Sequence, residues 1–328
     1  MTAVAAFGLA MGMMAAGTAQ ADTFGSGADQ FTLDFVNVGN AGNANDAGAG
    51  GGIYSSPYGG VAYGYRIGKH EISENDIATA TAAGLANVTA GAHTGDEPAA
   101  YISWYEAAAF ANWLNTSSGY QAAYNLTFSG SWSMTLWDAS DQATTGVDSG
   151  TNPYRHKDAF YFLPSEGEWY KAAYHQNDGV TANYWDYATG SNTAPTPVTS
   201  GTASGTAVYN QTFATGPADV NLAGGLSPYG TMGQNGNVFD WNESAFDGNN
   251  DVSTENRGFR GGSWVFAQAE PSLRSSFRGG DSPTAVHIDV GFRVASAAVP
   301  EPSAAVLMLM GLGALGALMF RRHARRSL

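Results

Sequence analysis

One tract near the C-terminal end, Ser227–Trp264, limits what this chain can fold into more than any other stretch. It holds Ser227-Pro228-Tyr229-Gly230, then Gly236-Asn237-Val238-Phe239-Asp240-Trp241, then Arg257-Gly258-Phe259-Arg260-Gly261-Gly262-Ser263-Trp264. Large aromatic rings stand beside glycines at a spacing that suits neither a plain helix nor an alternating strand. Glycine permits left-handed or closely approaching backbone. Each Trp buries a large apolar area and needs a partner for its indole N–H. The tract therefore predicts a compact core built from irregular loops. Composition extends that expectation to the whole chain. Glycine takes 43 of 328 positions, against a usual share of about 7%. Charged residues make up 13%, about half the ordinary fraction. Many turns and modest regular structure follow.

The formal net charge is −14, and the arginines at the C-terminal end understate the acidity of the rest. Such a surface repels phosphate backbones, which argues against a nucleic-acid partner. The chain has no cysteine. Disulfides, zinc thiolates, iron–sulfur clusters and thiol nucleophiles are all excluded.

The two ends read as addresses. An apolar run through Met14 ends in Ala19-Gln20-Ala21 before Asp22. It has the small-x-small character of a signal-peptide cleavage site, without a basic n-region, so residues 1–21 are assigned as a signal peptide. At the other end Pro300-Glu301-Pro302 precedes an apolar run, Ala304–Phe320, and then Arg321 and Arg322. A helix over that run would reach roughly 26 Å, near the lower limit for crossing a bilayer. The arginines beyond it would hold that end in the cytoplasm and leave residues 22–298 outside. Residues 299–328 resemble the PEP-CTERM sorting signal of Gram-negative bacteria. That resemblance implies an exosortase-type sorting machinery as partner, a membrane contact through the C-terminal helix before processing, and a destination in the envelope or extracellular matrix.

Between the ends, Phe31–Val38 reads as a strand and Gly60–Gly68 as a second, interrupted by glycines. Three capping signatures each open a helix: Ser73 with Asp76, Ser103 with Glu106, and Ser165 with Glu168. The helices are predicted to run to about Ala83, over Trp104–Leu114, and from about Glu166 to Tyr174. His175 is read as a partner for the last helix's C-terminal dipole. Phe160–Leu163 reads as a short strand. Residues 116–158 give no clear pattern, and Ala188–Gly205 reads as loop. Nothing separates two hydrophobic cores, so residues 22–298 are read as one domain.

The order of these segments carries a resemblance. Ile102-Ser-Trp-Tyr-Glu-Ala-Ala-Ala-Phe-Ala-Asn-Trp-Leu114 comes first, then Leu163-Pro-Ser-Glu-Gly-Glu-Trp-Tyr-Lys-Ala-Ala173. Tyr229–Trp241, Arg260-Gly-Gly-Ser-Trp264, Arg274, Arg278 and Gly291-Phe-Arg-Val294 follow. The series resembles the sulfatase-modifying-factor family, founded on the formylglycine-generating enzyme, over roughly residues 30–296. The resemblance implies an α+β, C-type-lectin-like fold that is loop-rich, with low regular secondary structure. The founding enzymes oxidise a sulfatase cysteine with copper held by two cysteines just after the Gly-Gly-Ser-aromatic motif. Here that segment, Phe266–Pro271, offers no sulfur, and copper(I) prefers sulfur ligands. No copper is expected. A related branch uses iron on a His-x₃-His-x-Glu motif, and no two histidines here have that spacing.

The family also implies a structural calcium site, which maps onto the carbonyls of Gly236 and Val238 and the carboxylate of Asp240, with Gly233 lacking the usual side-chain ligand. Arg260, Trp264, Arg274 and Arg278 are the candidates for a ligand pocket; the arginines read equally as internal ion-pair partners. Two functions are carried forward. One is a non-enzymatic exported protein that binds a glycan or matrix ligand or serves the surface or biofilm. The other is a modifying oxidoreductase of the family with a non-thiolate centre.

Overall fold

A computed structural model describes residues 20–48, 58–147, 150–265 and 269–299. Strands β1 (Gln20–Ser26) and β2 (Asp29–Val38) form a hairpin, and β3 (Tyr65–Gly68) pairs with the far edge of β2. The strand Ala295–Ala297 lies beside β3, and Tyr161–Phe162 closes the order of a five-stranded antiparallel sheet. A second sheet takes Phe239–Ala245 as a central strand, with Arg257–Arg260 antiparallel on one side and Val290–Gly291 parallel on the other. Gly279–Asp281 forms its outer edge.

The helices follow their capping residues. α1 (Glu74–Ala82), α2 (Trp104–Ser117) and α3 (Glu166–Tyr174) each have the reciprocal Ser–acid box that satisfies the first orphan N–H groups. α2 runs three residues beyond the predicted Leu114, because Asn115 is drawn into the core and accepts the amides of Phe160 and Tyr161. The second predicted strand shortens to β3, the segment before it being loop. The uninformative stretch 116–158 holds two small hairpin ladders, Asn125–Phe128 with Trp132–Thr135 and Gln142–Ala143 with Asn152–His156. Within the predicted loop Ala188–Gly205, Thr196–Pro197 pairs with Thr206–Ala207.

The core depends on the aromatic residues singled out above. Trp104 donates from its indole to Asn242 O (2.8 Å), and Trp241 donates to Ile102 O (3.0 Å). These two bonds clamp α2 against the central strand of the second sheet. The small side chains Ala107, Ala108 and Ala111 bring α2 close to its neighbours, and Phe110 meets Phe292 edge-on at 5.5 Å.

His175 stands at the C-cap of α3, where the surroundings favour the neutral ring over the charged one. It is fully buried, and burial lowers its pKa. Its Nδ1 lies 3.1 Å from the Asn177 amide and 3.0 Å from the Tyr229 hydroxyl. Gln20 and Ala21, assigned to the signal peptide, belong to β1, and Asp22 beside them is tied to Arg66 (2.5 Å) and the Tyr161 hydroxyl (2.8 Å). The remainder of the leader and the sorting tail, including Pro300, Glu301, Pro302, Arg321 and Arg322, lies outside the described residues. Among those described, no helix is long and apolar enough to cross a membrane.

Gly236 shows why the central tract needs glycine. Its φ is +85°, and a Cβ there would stand 2.2 Å from Val208 O. Gly236→Ala is expected to lower stability by at least about 2 kcal/mol. Urea unfolding checks this, and an unchanged midpoint would show that the loop relaxes freely.

Candidate functional site

The first turn of α3 places two acids in two different buried networks. Glu168 faces Arg155, which donates to it from Nη2 at 2.9 Å and to Glu243 from Nε and Nη2 at 2.8 Å. The Tyr63 hydroxyl donates to Glu168 (2.7 Å), while Tyr124 (2.9 Å) and the Asn152 amide (2.6 Å) donate to Glu243. Burial raises the Glu168 carboxyl, but the Arg155 charge and the hydrogen bonds from Arg155, Tyr63 and the Ser165 amide together outweigh it and hold the pKa below the usual range. The same guanidinium does not fully offset the burial of Glu243, whose pKa stays raised.

Glu166 carries the second network. Arg260 Nε reaches Glu166 Oε1 at 2.6 Å, and Arg278 takes both oxygens at 2.8 and 2.6 Å. Arg260 also donates to the carbonyls of Ser275 and Phe277, and Arg278 to that of Phe246. The Tyr58 ring lies within 4.9 Å of Arg260 and 5.3 Å of Arg278. Arg260 Nη2 and the whole amide of Asn242 are buried without a hydrogen-bond partner.

The four residues proposed to line one pocket are separated. Arg260 and Arg278 converge on Glu166. Arg274 is exposed and pairs with Glu270 at 2.8 Å. Trp264 is buried among Ala100, Val208, Ala218 and Val238, with its indole nitrogen unpartnered and Phe213 edge-on at 5.6 Å. Arg260 and Arg278 thus serve as internal partners, the other reading their type allowed, and Arg274 as a surface one.

At the proposed calcium loop, Asp240 Oδ2 accepts from Arg293 Nε (2.7 Å) and Trp169 Nε1 (2.8 Å). Asp240 Oδ1 is buried and has no partner. A second carboxylate, Glu71, enters from the segment between β3 and α1. It accepts from Asn237 Nδ2 (2.6 Å) and the Val238 amide (3.2 Å). It also fills the space at Gly233, where a Cβ would lie 2.9 Å from Glu71 Oε2. Burial, then the nearby Asp240, pushes the Glu71 carboxyl up. These residues meet calcium's need for about six to eight oxygens only in part: one orphaned carboxylate oxygen is available, and Arg293 already supplies positive charge. Among the described residues, no three His, Cys, Asp or Glu side chains gather to hold a metal.

Of the segment where the family keeps its cysteines, residues 266–268 lie outside the described residues. Glu270 and Pro271 sit in a short helix, Ala269–Ser272, and Glu270 accepts from the Tyr187 hydroxyl and pairs with Arg274.

Two cavities open elsewhere. The larger, about 670 Å³, lies between the Gly42–Asn45 loop, the start of α3 and the Gly248–Asp251 loop. The smaller, about 380 Å³, is bordered by His70, Glu71, Asp76 and Asp96. No sequence signal marks the larger one. Its walls come from separate segments, Glu168 being legible only as a capping residue and Glu166 only as the start of a helix.

The chain belongs to the family described as the sulfatase-modifying factor enzyme 1-like domain, which it matches over residues 35–298. Residues 298–326 match the PEP-CTERM protein-sorting motif, which marks an exported protein of the Gram-negative envelope. No curated protein matches the chain. Among solved structures, Treponema denticola variable protein 1 is similar at 19% identity and a TM-score of 0.56, covering 86% of this chain and 100% of its own. A protein reported as CarF follows at 20% identity and a TM-score of 0.47, covering 81% of this chain and 99% of that one. PvdO from Pseudomonas aeruginosa has 15% identity and a TM-score of 0.45, covering 85% of this chain and 92% of its own. The fold is the α+β, formylglycine-generating-enzyme-like one, mostly strands and loops.

His70 supplies a pH test. Burial, reinforced by Lys69 and Arg293 and opposed by Asp34, lowers its pKa to about 4. The unfolded value is about 6.5. Unfolded chains therefore bind this proton first as pH falls, and the folded state loses stability between those two values. The wild-type thermal midpoint should fall faster than that of His70→Gln over that window. Parallel slopes would show that His70 charges freely in the fold.

Proposed function

We propose that this chain is an exported surface or matrix protein whose family domain binds a ligand and does not oxidise protein thiols. The observation that carries this reading is the complete absence of cysteine. The family's copper chemistry rests on two thiolates, and hard oxygen donors do not replace them for copper(I). Where those thiolates would follow the Gly-Gly-Ser-aromatic motif, the chain presents Glu270 and Pro271, with Glu270 engaged by Arg274 and Tyr187. The fold itself supports binding, since rigid sheets and helices display long loops. Fold alone conveys no activity.

In this reading the apolar run of the sorting tail engages the membrane until an exosortase-type machinery processes it, and the ligand belongs to the glycan or protein matrix outside the cell. Incubating the purified full-length chain with immobilised matrix polysaccharides and matrix proteins tests the binding role. Retention well above a heat-denatured control is expected. A chain retained by neither class would sink the binding reading.

Calcium enters as a structural proposal on the strength of the unpartnered Asp240 Oδ1, the carbonyls of Gly236 and Val238 being the further ligands that the family resemblance implies. An ion bound only by the folded state raises the melting temperature by mass action. Calcium addition is expected to raise the midpoint and a chelator to reverse it, and Asp240→Asn should abolish the difference. Identical melting with calcium and with chelator would remove the ion from the account.

A further inference from the structure

The larger cavity has a composition and a wall that together point to one ligand class. Its polar lining includes Asn45, Ser165, Glu166, Ser244, Asn249 and Asp251, and among the described residues no Lys, Arg or His lines it. Glu166 is held on both oxygens by Arg260 and Arg278, so its charge is already matched from behind. Asp251 is exposed on the opposite loop. An anionic ligand would meet Asp251 without a cation in the lining to receive it. A strongly apolar ligand would strip water from amides and hydroxyls that it could not satisfy.

Several hydrogen-bonding groups remain for a ligand. Asn45 Oδ1 accepts the Gly60 amide at 2.5 Å, leaving the donors of its Nδ2. Ser244 Oγ accepts the Glu166 amide at 3.0 Å and keeps its own O–H. Asn249 uses its backbone N–H on Asp247, not its side-chain amide. Donors and acceptors interspersed beside the rings of Tyr58 and Tyr63 suit a molecule with hydroxyls on its edges and C–H groups on its faces. The lining is mainly loop and helix start. Its strand residues include Pro153, which has no N–H, so the cavity offers no continuous free edge for a peptide to join as a strand.

Gly167 is the independent observation. It occupies the second position of α3, in the first turn, where a helix accepts a residue with a side chain. Its φ is not in the left-handed region, so backbone conformation does not require it. Nor does packing: the nearest atoms a Cβ would meet are Gly59 N and Gly60 O, both at 3.9 Å, an ordinary contact distance. Gly167 lines the cavity, and the effect of having no side chain there is to keep it open.

We propose that this cavity, between the Gly42–Asn45 loop, the start of α3 and the Gly248–Asp251 loop, binds an uncharged polyhydroxylated ligand, namely a segment of neutral polysaccharide. The proposal rests on the binding reading above and names its ligand class and place.

The test is retention of the full-length chain on immobilised dextran, cellulose, mannan and galactan, with alginate and heparin as acidic counterparts. Two variants accompany it. Gly167→Phe fills the cavity from a helical position that tolerates a side chain, and Asn249→Ala removes an exposed amide that the fold does not use. The expected result is retention on at least one neutral polymer, weakened at least about tenfold by each variant, with melting temperatures at or above wild type for Gly167→Phe and unchanged for Asn249→Ala. If Gly167→Phe fails to fold, Asn249→Ala decides alone. Retention only on alginate or heparin overturns the proposal. So does retention on a neutral polymer that neither variant weakens, although ligand binding itself would then stand. Retention on no polysaccharide overturns it as well, and the matrix-protein arm of the earlier pull-down then decides the broader reading separately.

Discussion

Arg155 is the constraint on which the rest of the structure depends. Its guanidinium is 1% exposed and lies between Glu168 at the start of α3 and Glu243 on the central strand of the second sheet. Tyr63, Tyr124 and Asn152 complete the bonds of the two carboxylates. One side chain thereby fixes the small ladder that carries it, a helix and a sheet. Removing one member of such a network leaves charge buried without a partner, at a cost of about 3–5 kcal/mol. The arrangement recurs. Arg260 and Arg278 hold Glu166, Arg293 holds Asp240, and Arg66 holds Asp22. A loop-rich fold has few regular ladders to satisfy its backbone. Here buried arginines do part of that work, since Arg293 alone reaches the carbonyls of Gly68 and Met232.

What could be read from the sequence was local. Ser73, Ser103 and Ser165 announce helices because each capping box closes within three residues, and all three helices begin where those serines place them. The glycine-aromatic tract was also legible as a buried centre, since each Trp there needs depth; Trp241 finds its hydrogen-bond partner at Ile102 O, whereas the Trp264 indole is buried without one. The ion-pair network was not. Arg155 and Glu243 stand 88 positions apart, and neither neighbourhood signals the other. Glu166 and Glu168 looked alike as first-turn acids, yet a helix turn sends them to different networks. His175 looked like a cation for the helix end because sequence does not report burial. The larger cavity was hidden for a similar reason: its walls come from distant loops and the start of α3, and the residue that leaves it open is a glycine.

The networks also bear on function. Arg260 and Arg278 are engaged by Glu166 and Arg274 by Glu270, so each already has an acid where an anionic ligand would bind. The segment that follows the Gly-Gly-Ser-aromatic motif carries acid and proline where the family's chemistry needs thiolates. What the scaffold retains is a frame with an open cavity at one side, lined by amides, hydroxyls and acids. The proposed account is therefore a retained fold with a changed use: export through the sorting tail, then recognition outside the cell.

The most direct measurement of that account is an oxidation assay on the full-length chain. The protein would be loaded with copper, given a cysteine-containing sulfatase peptide in air, and the peptide followed by mass spectrometry. The account predicts that the peptide cysteine is not converted to an aldehyde and that no stoichiometric copper survives desalting. Catalytic appearance of formylglycine would contradict it, because that chemistry would then be running without a thiolate.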